Sequence, residues 1–302
     1  MVAVEVENLT RRFGDFTAVN QISLQIEQGH IYGFLGPNGS GKSTTIRMLC
    51  GILEPTAGTG KIMGLDIQHD SEAIKSKIGY MSQKFSLYDD LSVMENLRFY
   101  AGMYSLPDEV KRTRIPEMIE MAGLEGREKE LAGNLSGGWK QRLALGCSIL
   151  HNPPILFLDE PTGGVDPKSR RMFWDIIYRL ATAGTTVMVT THFMDEAEHC
   201  DEIGFIFEGN LIISATPAEI KKVIPGTLLE LQAAEPLEMI KQFREQTAQN
   251  IIDANVYGTT LHLLVEPATV PQFEKFAPTI ITPTLEDVFI YFVKSKRGEM
   301  MA

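Results

Sequence analysis

The sequence predicts an α/β fold: a mixed β-sheet core with an antiparallel β region and a helical subdomain, followed by a small C-terminal α/β appendage. Three observations carry this. Short apolar strands such as Ile31–Leu35 and Ile155–Leu158 alternate with helix-like segments, the pattern of a parallel sheet with helices on its faces. A glycine-rich stretch, Gly36–Thr44 (GPNGSGKST), falls between one such strand and a helix-like run. The character of the chain changes around Ile224-Pro225-Gly226, beyond which a second set of short strands and helices begins.

Taken in order, the runs Val2–Val6 and Ala18–Ile26 alternate apolar with polar residues and are interrupted by polar turns at Arg11-Arg12 and Gly29-His30. They predict an antiparallel β region leading into Ile31–Leu35. Thr44–Cys50 reads as the first turns of a helix. From Ser92 to Gly123, Val93, Leu97, Tyr100, Ala101 and Tyr104 recur at steps of three and four, which predicts helices, with Pro107 and Pro116 at their boundaries or first turns. Ile155–Leu158 and Thr186–Thr190 return as short strands, each followed by a helix-like segment. Past residue 226, strands are expected at Leu228–Leu231, Ile251–Val256 and Leu261–Val265, with helices near Leu237–Glu245 and within Leu285–Lys296. The final helix packs either on another subunit or on its own core, and the second is favoured. The expected domains are 1–222, with a helical subdomain at about 85–150, and 223–302.

Composition narrows the function classes. The 302 residues carry 28 Lys and Arg against 39 Asp and Glu, a net charge of −11, so a nucleic-acid-binding face would have to be built against the chain's own balance. Cys50, Cys147 and Cys200 lie far apart without C-x-x-C spacing and read as reduced structural thiols. No stretch reaches the roughly 18 apolar residues that span a bilayer, and the N-terminus lacks a secretory signal's apolar core. An intracellular chain that reaches a membrane only through a partner is expected.

Two segments carry chemistry. Gly36, Pro37, Asn38, Gly39, Ser40, Gly41, Lys42, Ser43 and Thr44 obey G-x-x-x-x-G-K-[ST], in which glycines let successive backbone N–H groups turn toward phosphate oxygens. Lys42 brings a compact positive charge to the β- and γ-phosphates, and the Ser43 hydroxyl suits Mg²⁺, a hard cation that takes oxygen ligands. Downstream, Leu156–Glu160 ends an apolar strand with two carboxylates. Asp159 is suited to holding Mg²⁺ and Glu160 to polarising the water that attacks a γ-phosphate. His69, His151 and His262 show no ligand spacing and read as surface or packing residues.

With these residues in place, the order of segments over about residues 3–220 resembles the nucleotide-binding subunit of an ABC transporter, and implies the P-loop ABC ATPase fold with ATP and Mg²⁺ as cofactors. Gly36–Thr44 matches Walker A and Leu156–Glu160 matches Walker B. Phe13 matches the aromatic that stacks on adenine, although a Phe there is as often core as platform. Gln83 matches the glutamine linking the metal to the transmembrane partner. Leu135–Gly138 matches the signature, in which Ser136, Gly137 and Gly138 face the γ-phosphate held by a second ATPase subunit, identical or different. Gly163–Asp166 matches the D-loop and His192 the switch histidine that senses the γ-phosphate. Trp139 stands where the family usually has Gln, and Gly163 and Val165 where Ala and Leu are frequent.

YMSQKFSLYDDLSVMENLRFYAGMY, TVMVTTHFMDEAEHCDEIG and TPTLEDVFIYFV look most like bacterial ATPases that power ABC-2-type exporters, often of drugs or other hydrophobic molecules. That resemblance implies integral-membrane permease partners, no nucleic acid, and a place at the cytoplasmic face of the inner membrane. Phe85, Leu87 and Tyr88, beside Asp89-Asp90, form either a groove for a permease helix or a plain hydrophobic connection. The other function class is a soluble ABC ATPase acting on ribosomes or DNA. It calls for two such domains in one chain, or a long coiled-coil insertion, together with basic surfaces, and neither is visible.

Overall fold

The computed structural model describes residues 1–84, 87–247 and 251–298. It divides into two compact units, Met1–Ser214 and Ala215–Ala302.

The first unit opens with β1 (Val2–Phe13) and β2 (Phe16–Glu27), an antiparallel pair whose alternating side chains bury Val4, Val6, Leu9, Val19, Ile22 and Ile26 on one face. β4 (Ala57–Ile62) and β5 (Leu65–Asp66) extend this sheet in the order β2-β1-β4-β5. The second sheet contains β3 (Ile31–Leu35), β6 (Ile78–Met81), β7 (Ile155–Asp159), β8 (Thr186–Thr191), β9 (Glu202–Phe207) and β10 (Asn210–Ala215), in the order β10-β9-β3-β8-β7-β6. β3, β7 and β8 are buried at every residue, as strands covered on both faces must be, and they pair in parallel. Their carboxyl ends therefore point the same way and gather the loops that follow them at one edge.

Helices α1 (Lys42–Leu49) and α2 (Ser71–Lys77) follow β3 and β5. Between β6 and β7 the chain folds into α3 (Val93–Met103), α4 (Asp108–Ala122) and α5 (Gly137–Ser148), which pack on one another. α3 begins with a capping box in which Ser92 and Glu95 satisfy each other's backbone N–H groups. Pro107 caps α4, as expected for a boundary, but Pro116 lies well inside that helix. An interior proline costs about 3 kcal/mol. Here the buried face of Ile115, Met118, Ile119 and Ala122 carries the helix through it. α6 (Pro167–Thr182) and α7 (Met194–Ala197) follow β7 and β8. Among the described residues no helix is long and apolar enough to cross a membrane. Cys50, Cys147 and Cys200 are free and buried.

The second unit starts eight residues earlier than the expected 223, because α8 (Pro217–Ile220) packs on α10 (Leu285–Arg297) and buries Ile220 there. Its sheet runs β12-β13-β11-β14, built from β11 (Thr227–Gln232), β12 (Ile251–Tyr257), β13 (Thr260–Val265) and β14 (Thr279–Ile281), with antiparallel pairing throughout. α9 (Pro236–Thr247) and a 3-10 segment, Pro267–Phe276, bring Phe243 and Phe273 into a core with Leu229, Leu231, Leu261 and Leu263. The 3-10 segment and β14 were not expected from the sequence. His262, read as a surface or packing residue, is also a hydrogen-bond partner: its Nδ1 lies 2.9 Å from Asp287 Oδ1, which also accepts from the Tyr257 hydroxyl at 3.1 Å. Asp287 Oδ2 in turn accepts from the Thr284 N–H and hydroxyl, closing the capping box of α10.

Candidate functional site

Where β3 ends, the chain turns through Gly36–Gly41 into α1. Gly41 has φ 106°, and a β-carbon there would meet the Ala18 carbonyl at 2.5 Å. A β-carbon on Gly36 would meet the Ile206 carbonyl at 2.2 Å. Glycine is thus required at both positions, which keeps the inner face of the loop lined by backbone rather than side chains. The loop borders a cleft of about 450 Å³ that Asn38, Gly39, Gly41, Lys42, Ser43 and Thr44 line together with Gln83 and Glu160. Phe13, Phe16 and Ala18 also line this cleft.

Lys42 is only 4% exposed. Its Nζ donates to the carbonyls of Gly36 and Pro37, at 2.7 and 3.0 Å, and lies 3.2 Å from Glu160 Oε1. Burial holds the ammonium below the usual lysine pKa, against the opposing pull of Glu160 and Asp159. The Ser43 hydroxyl donates to Asp159 Oδ1 at 2.9 Å, and the Thr190 hydroxyl donates to the same oxygen at 2.8 Å. Two hard oxygen donors from different elements thus meet beside the loop, a donor set suited to a divalent cation completed by phosphate oxygens and water. Among the described residues no group of three or more His, Cys, Asp or Glu side chains forms a metal site by itself.

Glu160 follows β7 in a left-handed conformation, φ 48°. This costs a non-glycine residue roughly 1–2 kcal/mol. The Thr190 hydroxyl accepts from the Glu160 N–H at 2.9 Å and stabilises the turn. The carboxylate is 8% exposed, and three side chains converge on it. Lys42 approaches Oε1, Gln83 Nε2 donates to Oε2 at 3.0 Å, and His192 Nδ1 lies 3.5 Å from Oε2. The strand ends of β7 and β8 and the segment after β6 therefore deliver Asp159, Glu160, His192 and Gln83 to the loop after β3.

The remaining predicted residues gather elsewhere. Ser136 caps α5 without a side-chain hydrogen bond to the helix; it and Gly137 are exposed, and nothing stands within 4 Å of a β-carbon built on Gly137. Gly138 is packed so closely on α6 that a β-carbon would lie 2.3 Å from the Ser169 hydroxyl. Asp166 caps α6 and accepts from the Ser169 N–H at 3.0 Å, and its bonds to Ser169 hold its carboxyl below the usual range. Ser136–Gly138 and Asp166 are thus neighbours of one another and are not part of the cleft lining. Trp139 is clamped by arginines, with the Arg127 guanidinium 3.9 Å and that of Arg142 5.5 Å from its ring.

Two residues of the site were not read from the sequence. Phe16 pairs with Phe13 across the Gly14-Asp15 turn and is 63% exposed beside the cleft. The signal was the second aromatic of a two-residue hairpin. Thr190 was read only as part of a strand, although polar residues ending a fully buried strand mark a ligand edge. Of the apolar cluster, Leu87 lines a second cleft of about 260 Å³ with Gln83, Lys84, Asp89 and Lys140. Tyr88 is exposed edge-on to Phe99 at 4.6 Å, and Phe85 lies outside the described residues.

This sheet with its glycine loop, acid pair and facing lysine defines a P-loop nucleotide-binding protein. The family described as ABC transporter matches residues 19–163. Over 294 residues the chain is 33% identical to Nod factor export ATP-binding protein I of Burkholderia orbicola (strain AU 1054), covering 95% of each. The chain belongs to the ATP-binding proteins of ABC transporters. It is also 50% identical over 218 residues to the probable multidrug ABC transporter ATP-binding protein YbhF of Escherichia coli (strain K12), a match of 72% of this chain that spans 38% of that protein's length. Among solved structures it is similar to the dimeric post-hydrolysis state of the ATP-binding cassette MJ0796 bound to ADP and Pi, with a TM-score of 0.64 and 28% identity over 70% of this chain and 98% of that one.

Proposed function

We propose that this chain is the ATP-binding and ATP-hydrolysing subunit of an ABC-2-type membrane exporter. The observation that carries the proposal is the convergence of Lys42, Gln83 and His192 on the Glu160 carboxylate beside the phosphate-binding loop.

In this reading ATP lies with its base toward Phe13 and Phe16 and its phosphates against the backbone N–H groups of residues 36–44 and the Lys42 ammonium. Ser43 and Asp159, with Gln83 beside them, would hold Mg²⁺, which would offset charge on the β- and γ-phosphates. Glu160 accepts a hydrogen bond from water and orients its lone pair toward the γ-phosphorus. The new oxygen–phosphorus bond forms as the bond to the β–γ bridging oxygen breaks; ADP leaves, and the proton shed by the water passes to the Glu160 carboxylate. His192 donates to a γ-phosphoryl oxygen and so reports whether the triphosphate is intact.

Two subunits, identical or different, close with Ser136, Gly137 and Gly138 of one over the nucleotide of the other and with Asp166 at the seam. The open space at Gly137 and the uncommitted Ser136 hydroxyl support this. The cleft at Leu87, Lys84 and Lys140, with exposed Tyr88, receives an integral-membrane permease, which holds the chain at the cytoplasmic face of the inner membrane. Relatives named for multidrug and Nod factor export support drugs or other hydrophobic compounds as cargo. A chain of net charge −11 offers little to nucleic acid, and none is part of the reading.

Glu160→Gln tests it. The variant is expected to keep ATP affinity, accumulate as an ATP-dependent dimer on size-exclusion chromatography, and lose at least about 100-fold in hydrolysis. Hydrolysis at the parent rate would overturn the role of Glu160.

A further inference from the structure

Glu196 is a carboxylate 1% exposed, on α7, outside the nucleotide cleft. Burying a charge is costly unless partners replace its hydration, so its surroundings call for an account. The Thr162 hydroxyl makes a short hydrogen bond to Oε1, and the Thr191 hydroxyl donates to Oε2 at 2.5 Å. Arg170 Nε stands 3.4 Å from Oε1 as an ion-pair partner without hydrogen-bond geometry.

The positions of these partners give the carboxylate its meaning. Thr162 is two residues beyond Glu160, and Thr191 directly precedes His192. Both threonines are 2% exposed, so their hydroxyls have no water to turn to. Thr191 Oγ1 also accepts from the Phe193 N–H at 3.0 Å, which fixes the turn that follows His192. Arg170 lies with its guanidinium 4.1 Å from the Phe193 ring, and its backbone N–H donates to the Asp166 carbonyl at 2.9 Å within the first turn of α6. One buried side chain therefore ties together the loop leaving Glu160, the loop carrying His192 and the first turn of α6.

We propose that Glu196 is a positioning residue for ATP hydrolysis, holding the His192 loop against the loop that runs from Glu160 to Asp166. It is not among the residues lining the nucleotide cleft and acts through Thr162, Thr191 and Arg170. Without it, Glu160 and His192 each keep their own strand but lose the common reference that sets their separation, and small misplacements of reacting groups are costly in rate. The inference rests on hydrolysis at Glu160.

The test is steady-state ATP turnover of the full chain for Glu196→Gln, Thr162→Val and Thr162→Ser. Valine matches threonine in shape without a donor, and serine restores the donor. Glu196→Gln and Thr162→Val are expected to lower kcat at least tenfold with KM for ATP within twofold, and Thr162→Ser to stay within twofold of the parent in both. The double variant Glu196→Gln/Thr162→Val is expected to be no slower than the slower single variant. A kcat within twofold of the parent for both single variants, equal losses for Thr162→Ser and Thr162→Val, or multiplying losses in the double variant would overturn the proposal. Should Glu196→Gln fail to fold, the valine and serine variants decide. A parent rate in Glu160→Gln sinks the hydrolysis reading instead, so the two failures are told apart.

Discussion

Lys42 Nζ stands 3.2 Å from Glu160 Oε1, and both side chains are nearly sealed from solvent. The lysine that opens α1 and the carboxylate after β7 are thus electrostatic partners, each making the other's burial tolerable. In the proposed reading, a γ-phosphate would compete with Glu160 for the same ammonium and would free the carboxylate on binding.

Lys42→Ala removes the cation from both partners. A charge-assisted hydrogen bond contributes about 1.5–3 kcal/mol. ATP affinity is therefore expected to fall by about ten- to a hundredfold, read by titration with a fluorescent ATP analogue. Unchanged affinity would contradict the phosphate role of Lys42.

Trp139 occupies the signature position after Gly138 and is held by two arginines. Exposed or half-buried cation–π contacts contribute about 0.5–1 kcal/mol each. Trp139→Gln is expected to lower stability by about 1 kcal/mol, a fall of roughly 2–4 °C in Tm by thermal melt, while turnover stays within threefold. Trp139→Phe keeps a ring and is expected to lie between. A rise in turnover of tenfold or more in Trp139→Gln would show instead that the ring restrains the site.

In the second unit, burial alone would raise the Asp287 pKa, but hydrogen bonds from His262 and Thr284 outweigh it and hold the carboxyl below its usual range. A carboxylate depressed in the folded state contributes stability that is full above its unfolded pKa, about 4, and is lost as pH falls through the lower folded value. The unit is expected to weaken below about pH 4, and Asp287→Asn to flatten that dependence. Hydrogen exchange of β11 and β13 amides across this range checks it, and an unchanged pH slope in the variant contradicts it.

The parts of the fold and site most legible in the sequence are those built by neighbours along the chain. Gly36–Thr44 carries its glycines, lysine and serine within nine residues, and β7 declares itself by an apolar run ending in two acids. Less legible were features that depend on packing between distant residues. Thr190 reaches Asp159 across 31 positions and Thr162 reaches Glu196 across 34, and neither threonine has a local signature. Pro116 read as a helix boundary because local geometry disfavours it inside a helix, and only the packing of Ile115 and Met118 overrides that preference. β14 is three residues long, too short for alternation to show. His262 looked solitary because its partner Asp287 lies 25 residues on, in another element.

The contact between Gly138 and Ser169 has a mechanical consequence. With no room for even one carbon between them, the start of α5 cannot roll over α6 without a collision, nor lift away without opening a void. The two helices are locked in register at that point, and because the Ser169 N–H is held by the Asp166 carboxylate, the start of α5 and the cap of α6 form one stiff unit.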